Sequence, residues 1–258
     1  MNPIFEIFGR DIPAYSLMAV AGFLLALALI GIFAPLFELD RENAIYIFTL
    51  GVVGALIGAK VFYLIQVFPS LIRDLHLIKE DFTTFRLLYI NGGMVFYGGL
   101  IGGLLMAFYW AKAFRVDLRD YLPLLLPGLA IFAGSGRVGC FFAGCCYGKE
   151  TDGPIAVVFS RSLYAPNGVP LIPIQLIEAS GQLLFAIALL VVGRKEKLRP
   201  HLLAIYLTAY CLFRFVLEFW RGDAVRGILW GLSTSQWVSI FILLIVAVSS
   251  CRRVKKRI

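Results

Sequence analysis

The middle of the sequence contains two glycine-rich segments, NGGMVFYGGLIGG (residues 91–103) and GSGRVGCFFAGCCYGK (residues 134–149). Closely spaced glycines let neighbouring backbones, or a ligand, approach a helix closely. The second segment also places Arg137 beside an apolar run and groups three thiols within seven positions. A cationic side chain in such a run is costly to bury and invites a partner or a function. We therefore predict that the rest of the chain is a scaffold around this stretch.

The composition indicates a membrane protein. Hydrophobic residues make up 60% of the 258 residues and charged residues 16%, and the mean hydropathy is +0.86, whereas about half of a soluble domain is apolar. A membrane-spanning helix needs about 20 mostly apolar residues. Seven segments meet this requirement: residues 14–34, 44–68, 94–113, 121–142, 171–193, 202–220 and 232–250.

We therefore predict an all-α, polytopic membrane protein with about seven transmembrane helices, forming one domain over residues 1–258. The fourth and fifth spans have the least certain ends. The glycines near Gly134 and the prolines Pro170 and Pro173 favour broken or partly inserted helices there. No cleavable signal peptide is predicted, because residues 1–13 carry charges of both signs and have no apolar core before a small-residue cleavage site.

The basic residues predict an orientation. Lys and Arg number 13 in the C-terminal tail and the connections after the first, third and fifth predicted spans, when Lys112 at the end of the third span is counted with the connection that follows it, against 8 in the N-terminus and the other connections. Cytoplasmic loops carry the excess of basic residues, so the N-terminus is predicted outside and the tail RRVKKRI (residues 252–258) in the cytoplasm. This distribution accounts for the net charge of +8 without a nucleic-acid partner.

Apart from Lys112 at the end of the third span, five ionisable side chains fall within the predicted spans: Lys60, Arg137, Glu178, Arg214 and Glu218. Each costs about 2.5 to 3.5 kcal/mol on insertion scales. Arg214 and Glu218 are four residues apart and can form an ion pair on one helix face. Arg137 lies among glycines and suits a phosphate or carboxylate through forked, charged hydrogen bonds. Arg137 and Lys60 can instead extend to the membrane interface from near a helix end.

The three clustered cysteines permit several interpretations. Cys140, Cys145 and Cys146 have a C-x4-C-C spacing, which is unusual for zinc and has no histidine nearby. We predict no metal ion and no cofactor. A buried cysteine is commonly a small apolar residue, but a thiol near Arg137 can be held as the thiolate.

Four motifs follow one another along the chain: NGGMVFYGGLIGG (residues 91–103), GRVGCFFAGCCYG (residues 136–148), PIQLIE (residues 173–178) and FRFVLEFWR (residues 213–221). In this order and spacing they resemble the bacterial prolipoprotein diacylglyceryl transferase family. The resemblance covers nearly the whole chain. It implies a multi-pass enzyme of the bacterial cytoplasmic (inner) membrane that moves the diacylglyceryl group of phosphatidylglycerol onto the lipobox cysteine of a prolipoprotein and releases glycerol 1-phosphate.

The resemblance also implies roles for individual residues. Arg137 matches the family's signature arginine and Arg214 a second arginine, both expected to hold the lipid phosphate, and Glu218 matches the acid one turn after Arg214. On this basis the predicted catalytic residues are Tyr15, Tyr97, Arg137, Arg214 and Glu218. The predicted lipid-binding residues are Arg137, Arg214, Gly98, Gly99, Gly139 and Gly148. The predicted accessory residues are Lys60, Cys140, Cys145, Gln175 and Glu178.

The chain departs from the family pattern on the reaction side. Tyr97 stands where the family commonly has histidine, and Ile172 stands where a histidine often precedes the PIQLIE-like segment. The signature commonly has Asn, Asn and Glu at three positions that are Cys140, Ala143 and Cys145 here. Both arginines remain, so the sequence supports lipid binding more strongly than the usual acceptor chemistry, for which Tyr97 is the candidate base.

Three alternatives stay open from the sequence. The chain can be a paralogous transferase that uses the same lipid with another acceptor. It can be a membrane thiol-redox or metal-handling protein built on Cys140, Cys145 and Cys146, or a lipid binder or transporter without catalysis. The expected partners are phosphatidylglycerol, a prolipoprotein lipobox peptide or another acceptor, and the lipid bilayer.

Overall fold

A computed structural model describes residues 4–7, 9–162, 164–223 and 227–255. The α-helices in these residues are α1 (Ala14–Phe33), α2 (Arg41–Gln66), α3 (Phe68–Arg73), α4 (Leu77–Glu80), α5 (Phe82–Phe85), α6 (Phe96–Ala113), α7 (Leu118–Ala143), α8 (Ile174–Gly193), α9 (Leu202–Leu217) and α10 (Thr234–Lys255). The strands are β1 (Ile4–Ile7), β2 (Arg10–Pro13), β3 (Val157–Val158), β4 (Pro170–Leu171), β5 (Ile228–Leu229) and β6 (Leu232–Ser233). Consecutive strands pair as three antiparallel two-stranded ladders.

The described residues contain six helical segments long and apolar enough to cross a membrane: Ala14–Phe37, Arg41–Gln66, Leu118–Ala143, Ile174–Gly193, Glu196–Trp220 and Thr234–Arg252. Each corresponds to a predicted span, so the prediction of an all-α polytopic membrane protein is confirmed. The predicted span at residues 94–113 forms α6, as expected, but α6 is not among the six. With 18 residues α6 is shorter than each of the six, and it contains four glycines and Lys112.

The chain divides into two compact units. One comprises Met1–Phe37 and Leu122–Ile258, and the other comprises Glu38–Tyr121. The prediction of one transferase-like domain over residues 1–258 stays a prediction. Part of the predicted cytoplasmic tail, residues 256–258, lies outside the described residues.

In the unit Glu38–Tyr121, α2 packs against α6 through glycines four residues apart on each helix. A methyl group at Gly54 would lie 2.5 Å from the carbonyl oxygen of Gly102, and one at Gly58 would lie 2.9 Å from the Gly102 Cα. Small residues at this spacing allow two helix backbones to pack in direct contact. Gly98 and Gly99 belong to the same contact, since a methyl group at Gly99 would lie 3.2 Å from the Ala55 carbonyl oxygen.

The other unit contains α1, α8, α9, α10 and most of α7. A core of apolar side chains joins α7, α8 and α9: Leu126, Ala130, Ala186, Leu189, Leu202 and Tyr206. The expectation of a broken helix near Gly134 is wrong, because α7 is continuous through that residue. A methyl group at Gly134 would lie 3.2 Å from the Gln182 Cβ, so this glycine permits close packing on α8. Pro173 precedes the first residue of α8, a position where proline does not interrupt a helix.

The segment after α7 is tied to the end of α9 by backbone hydrogen bonds. The Lys149 amide donates to the Trp220 carbonyl (2.8 Å) and the Gly222 amide donates to the Tyr147 carbonyl (3.0 Å). Gly148 lies between these bonds and has no room for a side chain, since a methyl group there would lie 2.7 Å from the Ile172 Cβ. This ladder fixes the cysteine-rich segment beside Arg221.

Candidate active site

Three helices bring four charged side chains together inside the unit that contains α7, α8 and α9. Arg137 Nε of α7 lies 3.0 Å from Glu178 Oε1 of α8. Arg214 Nη1 of α9 lies 3.8 Å from Glu178 Oε2. Arg214 Nη2 lies 2.6 Å from Glu218 Oε2, one turn further along. The result is an alternating row of two arginines and two glutamates, with Glu178 between the arginines.

Burial explains why the charges alternate. The side chains of Glu178, Arg214 and Glu218 are 2%, 6% and 5% exposed. An isolated buried charge costs several kcal/mol, and only close opposite charges with further hydrogen bonds offset that cost. The Arg137 side chain is 24% exposed and is the accessible end of the row. The sequence predicted the Arg214–Glu218 pair, whereas Glu178 was predicted only as an accessory residue and instead lies at the centre.

The arrangement retains donors for an anion. Arg214 Nη1 is buried and makes no hydrogen bond within the described part of the chain. Arg137 is partly exposed, and a methyl group at the preceding Gly136 would meet no atom within 4 Å. The backbone beside Arg137 therefore faces open space. The guanidinium group of Arg137 lies next to this space, and such a group can bind a phosphate through charged hydrogen bonds.

Tyr15 lies at the start of α1, next to the helix that carries Arg137. A methyl group at Gly139 would lie 3.1 Å from the Tyr15 Cα, so Gly139 lets α1 pack directly on α7. The Tyr15 side chain is 49% exposed. Gly139 therefore contacts α1, and Tyr15 packs against the helix that carries Arg137. The lipid-binding role of Gly139 and the catalytic role of Tyr15 stay predictions.

The three clustered cysteines lie just beyond Arg137. Their Sγ atoms all lie within 4.8 Å of one another, and none of the three forms a disulfide. The chain reverses direction here, with φ of 75° at Gly144 and 61° at Cys146. Gln175 of α8 donates from Nε2 to the Cys145 carbonyl (2.8 Å). The predicted accessory residues Gln175 and Cys145 are therefore in contact, one turn of α8 before Glu178.

The surroundings favour a thiolate at one of these positions. Hydrogen bonds from the Cys140 and Cys145 thiols lower the pKa of Cys146, and the positive charges of Arg221 and Arg137 act in the same direction. Hydrogen bonds with Cys140 and Cys146 raise the pKa of Cys145. Of these two thiols, Cys146 therefore forms the thiolate more readily than Cys145.

Arg221 is a buried cation that the sequence reasoning did not single out. It forms a forked pair with Asp223, with Nε 2.9 Å from Oδ1 and Nη2 2.7 Å from Oδ2. Its Nη1 atom is buried and hydrogen-bonds to no other residue that the structure describes. Burial lowers the pKa of Arg221, but the Asp223 hydrogen bond and the charge of Cys146 outweigh burial and raise it. The sequence could have indicated this residue, because Arg221 is the last residue of the FRFVLEFWR motif, seven positions after Arg214.

Four predicted site residues, Lys60, Tyr97, Gly98 and Gly99, belong to the unit Glu38–Tyr121. Lys60 Nζ donates to the carbonyls of Ile90 (2.8 Å) and Gly92 (3.2 Å), so it secures the turn before α6. Tyr97 lies in the first turn of α6 and is 54% exposed. Its role as a base stays a prediction.

Apolar spans that enclose a row of buried arginines and glutamates define a class: polytopic membrane proteins with a site for an anionic group between helices. Comparison with known proteins then specifies the family. The model of the family described as "Prolipoprotein diacylglyceryl transferase" matches residues 2–251. The chain belongs to this family, which confirms the resemblance seen in its motifs, and it is a transferase of the bacterial cytoplasmic membrane.

Individual relatives match along most of their length. A protein of Clostridium tetani named phosphatidylglycerol--prolipoprotein diacylglyceryl transferase is 33% identical over 246 residues, covering 95% of each chain. A Clostridium perfringens protein with the same name and the number 2 is 34% identical, covering 93% of this chain and 90% of its own. The protein of that name in Geobacter sulfurreducens is 32% identical, and the match covers 90% of this chain and 86% of the relative.

Proposed function

We propose that this protein transfers the diacylglyceryl group of phosphatidylglycerol to the lipobox cysteine of a prolipoprotein and releases glycerol 1-phosphate. The observation that carries the proposal is the row Arg137, Glu178, Arg214 and Glu218, which places two guanidinium groups within apolar spans. The names of the relatives support the same reaction. No observation in the described residues favours another acceptor.

The reaction requires a cationic site of this kind. The acceptor sulfur attacks the glycerol carbon that carries the phosphate, a C–S bond forms, and the C–O bond breaks. The departing phosphate oxygen takes the bonding electron pair, and the thiol proton passes to a base and finally to the glycerol phosphate. Arg137 and Arg214 stabilise the charge that develops on the phosphate, which is a large contribution in a site with little water.

The two glutamates act as positioning residues. Glu178 contacts Arg137 at Nε and Arg214 at Nη1, so it fixes the separation of the two guanidinium groups before the lipid binds. Glu218 holds Arg214 Nη2. Cations held in place in advance need no rearrangement as the transition state forms.

The remaining predicted residues have supporting roles in this proposal. Tyr97 takes the place of the family's histidine as the base, and Tyr15 contributes its hydroxyl beside Arg137. Gly148 keeps the segment after α7 against the end of α9. Lys60 and the glycines of α6 stabilise the pairing of α2 with α6.

We propose an orientation with the N-terminus outside and the C-terminus in the cytoplasm, supported by the distribution of basic residues. Glycerol 1-phosphate is polar and leaves toward the outer side. The lipid-modified product has two acyl chains and leaves sideways between helices into the bilayer.

Complementation tests this function. The chain is expressed in bacterial cells depleted of their own prolipoprotein diacylglyceryl transferase, and lipid attachment to a reporter lipoprotein is measured by mass spectrometry. The wild-type chain and the exposed control Arg119→Ala restore the modification. Arg137→Ala does not, because loss of one charged donor to a developing oxyanion reduces rate by about 100- to 1,000-fold. If the wild-type chain is present in the membrane yet leaves the reporter unmodified, the acceptor is not a lipobox cysteine.

A further inference from the structure

We propose that Cys140, Cys145 and Cys146 form a binding site for one closed-shell, thiophilic cation, Zn²⁺ or Cu⁺, held by three thiolates. This site adds to the transfer reaction and does not depend on it. Soft thiolate ligands select these ions over Mg²⁺ or Ca²⁺. Two described cysteines elsewhere in the chain, Cys211 and Cys251, lie outside the cluster.

The sulfur positions fit such an ion closely. The three Sγ atoms lie within 4.8 Å of one another. Zn–S bonds of about 2.3 Å in a tetrahedral site separate two sulfurs by about 3.8 Å. Each pair of sulfurs must therefore approach by about 1 Å at most.

The local backbone holds the three residues in this arrangement. Cys140 lies in the last turn of α7, and the Cys145 amide donates to the Cys140 carbonyl (3.1 Å). The positive φ of Cys146, 61°, is costly for a residue other than glycine and returns its side chain toward the other two. Gln175 anchors the Cys145 carbonyl (2.8 Å). The backbone therefore brings the three sulfurs together, which the C-x4-C-C spacing alone does not predict.

Charge and access also suit a cation held by thiolates. Three thiolates and one divalent ion carry a net charge of −1, and Arg137 and Arg221 lie near enough for their charges to act on Cys146. All three cysteines are only partly buried, so an ion can reach them. No fourth His, Cys, Asp or Glu joins the cluster among the described residues. A tetrahedral ion would therefore keep one position for water or an external thiol, as in zinc sites with three protein ligands.

The test uses the purified full-length protein in detergent, without oxygen and with a reductant that contains no thiol. Cd²⁺ is titrated as a probe for Zn²⁺, and the ultraviolet thiolate-to-Cd²⁺ charge-transfer band is recorded. We expect saturation at one equivalent, with three thiols then protected from a thiol-specific reagent. Competition of Zn²⁺ and Cu⁺ against the bound Cd²⁺ identifies which ion binds more tightly.

Matched variants assign the ligands. Cys140→Ser, Cys145→Ser and Cys146→Ser each weaken Cd²⁺ binding by roughly 100-fold, since even residues that only orient ligands account for 10- to 100-fold. Cys211→Ser and Cys251→Ser retain the full band. The proposal is wrong if the wild-type protein protects fewer than three thiols at saturation, or if Cys146→Ser binds as tightly as the wild-type protein. The wild-type stoichiometry remains decisive even where a variant fails to fold, and neither readout depends on transferase activity.

Discussion

At the scale of single residues, Glu178 is the centre of the candidate site. Its carboxylate is 2% exposed and lies beside both arginines. Removing one member of a buried ion pair costs about 3 to 5 kcal/mol, because the remaining charge stays buried without compensation. If Glu178 is neutralised, the positive charges of Arg137 and Arg214 repel each other without compensation, and neither guanidinium group is held in position by the carboxylate.

We expect Glu178→Gln to destabilise the protein by about 3 kcal/mol and to reduce kcat/KM for lipid transfer. Unfolding in detergent measures the first effect and steady-state turnover the second. Glu150→Gln, an exposed change in the loop after α7, is the control and should alter neither. A positioning role predicts that Glu178→Asp recovers part of the lipid affinity, seen as a lower KM than that of Glu178→Gln. An unchanged KM in both variants would contradict that role.

A second prediction for a single residue concerns the rate at which Cys146 is alkylated as the pH changes. The pKa of Cys146 is lowered by hydrogen bonds from Cys140 and Cys145, so its thiolate should form at a lower pH than that of free cysteine. The pH profile of its alkylation rate should therefore lie at lower pH than that of free cysteine, whose pKa is about 8.5. Mass-spectrometric mapping of iodoacetamide labelling measures the rate. Arg221→Gln should shift the Cys146 profile to higher pH, and a wild-type profile that follows free cysteine would refute the lowered pKa.

At the scale of elements, the spans were predictable because a run of about 20 apolar residues in a bilayer forms a helix, which satisfies its backbone hydrogen bonds internally. The predicted α9 span ends at Trp220 in both the sequence and the structure. The three short ladders were not predicted. Four of their six strands, β3 to β6, have only two residues each and therefore show no periodicity. The isolated bridge between Gly148 and Arg221 was not predicted either, because it joins residues that are distant in sequence.

The candidate site was predictable in its residue types and less so in its contacts. Arg214 and Glu218 pair within one helix, so their spacing revealed the contact. Arg137 pairs with Glu178 of another helix, and no local spacing encodes that contact. The cysteine cluster required the reversal at Gly144 and Cys146, which depends on backbone geometry rather than on motif spacing.

The packing of α2 on α6 gives an element-scale prediction. A methyl group at Gly54 would lie 2.5 Å from the Gly102 carbonyl oxygen, whereas one at Gly51 on the same helix would lie 3.9 Å from its nearest neighbour, the Gly103 carbonyl oxygen. Gly54→Ala should therefore destabilise the protein by about 1 to 3 kcal/mol through overpacking. Gly51→Ala should be neutral or stabilising, because alanine is the better helix former. Equal effects on the unfolding midpoint would contradict the close contact.

At the scale of the whole molecule, the proposed orientation rests on the distribution of basic residues and can be tested directly. Cys251 is exposed near the end of α10, and Asp152 is exposed in the loop after α7. In intact cells a membrane-impermeant thiol reagent should label Asp152→Cys but leave Cys251 unlabelled until the membrane is opened. Mass-spectrometric mapping reads both sites in one sample. Labelling of Cys251 in intact cells would place the C-terminus outside.

The central claim is that two arginines held by buried glutamates promote displacement of glycerol phosphate from phosphatidylglycerol by a cysteine thiol. The most direct measurement is the stoichiometry of that reaction with purified protein, labelled phosphatidylglycerol and a lipobox peptide. We predict one glycerol 1-phosphate released for each peptide modified, with both products lost together in Arg137→Ala and in Arg214→Ala. Glycerol phosphate released without peptide modification, or undiminished turnover in either variant, would contradict the claim.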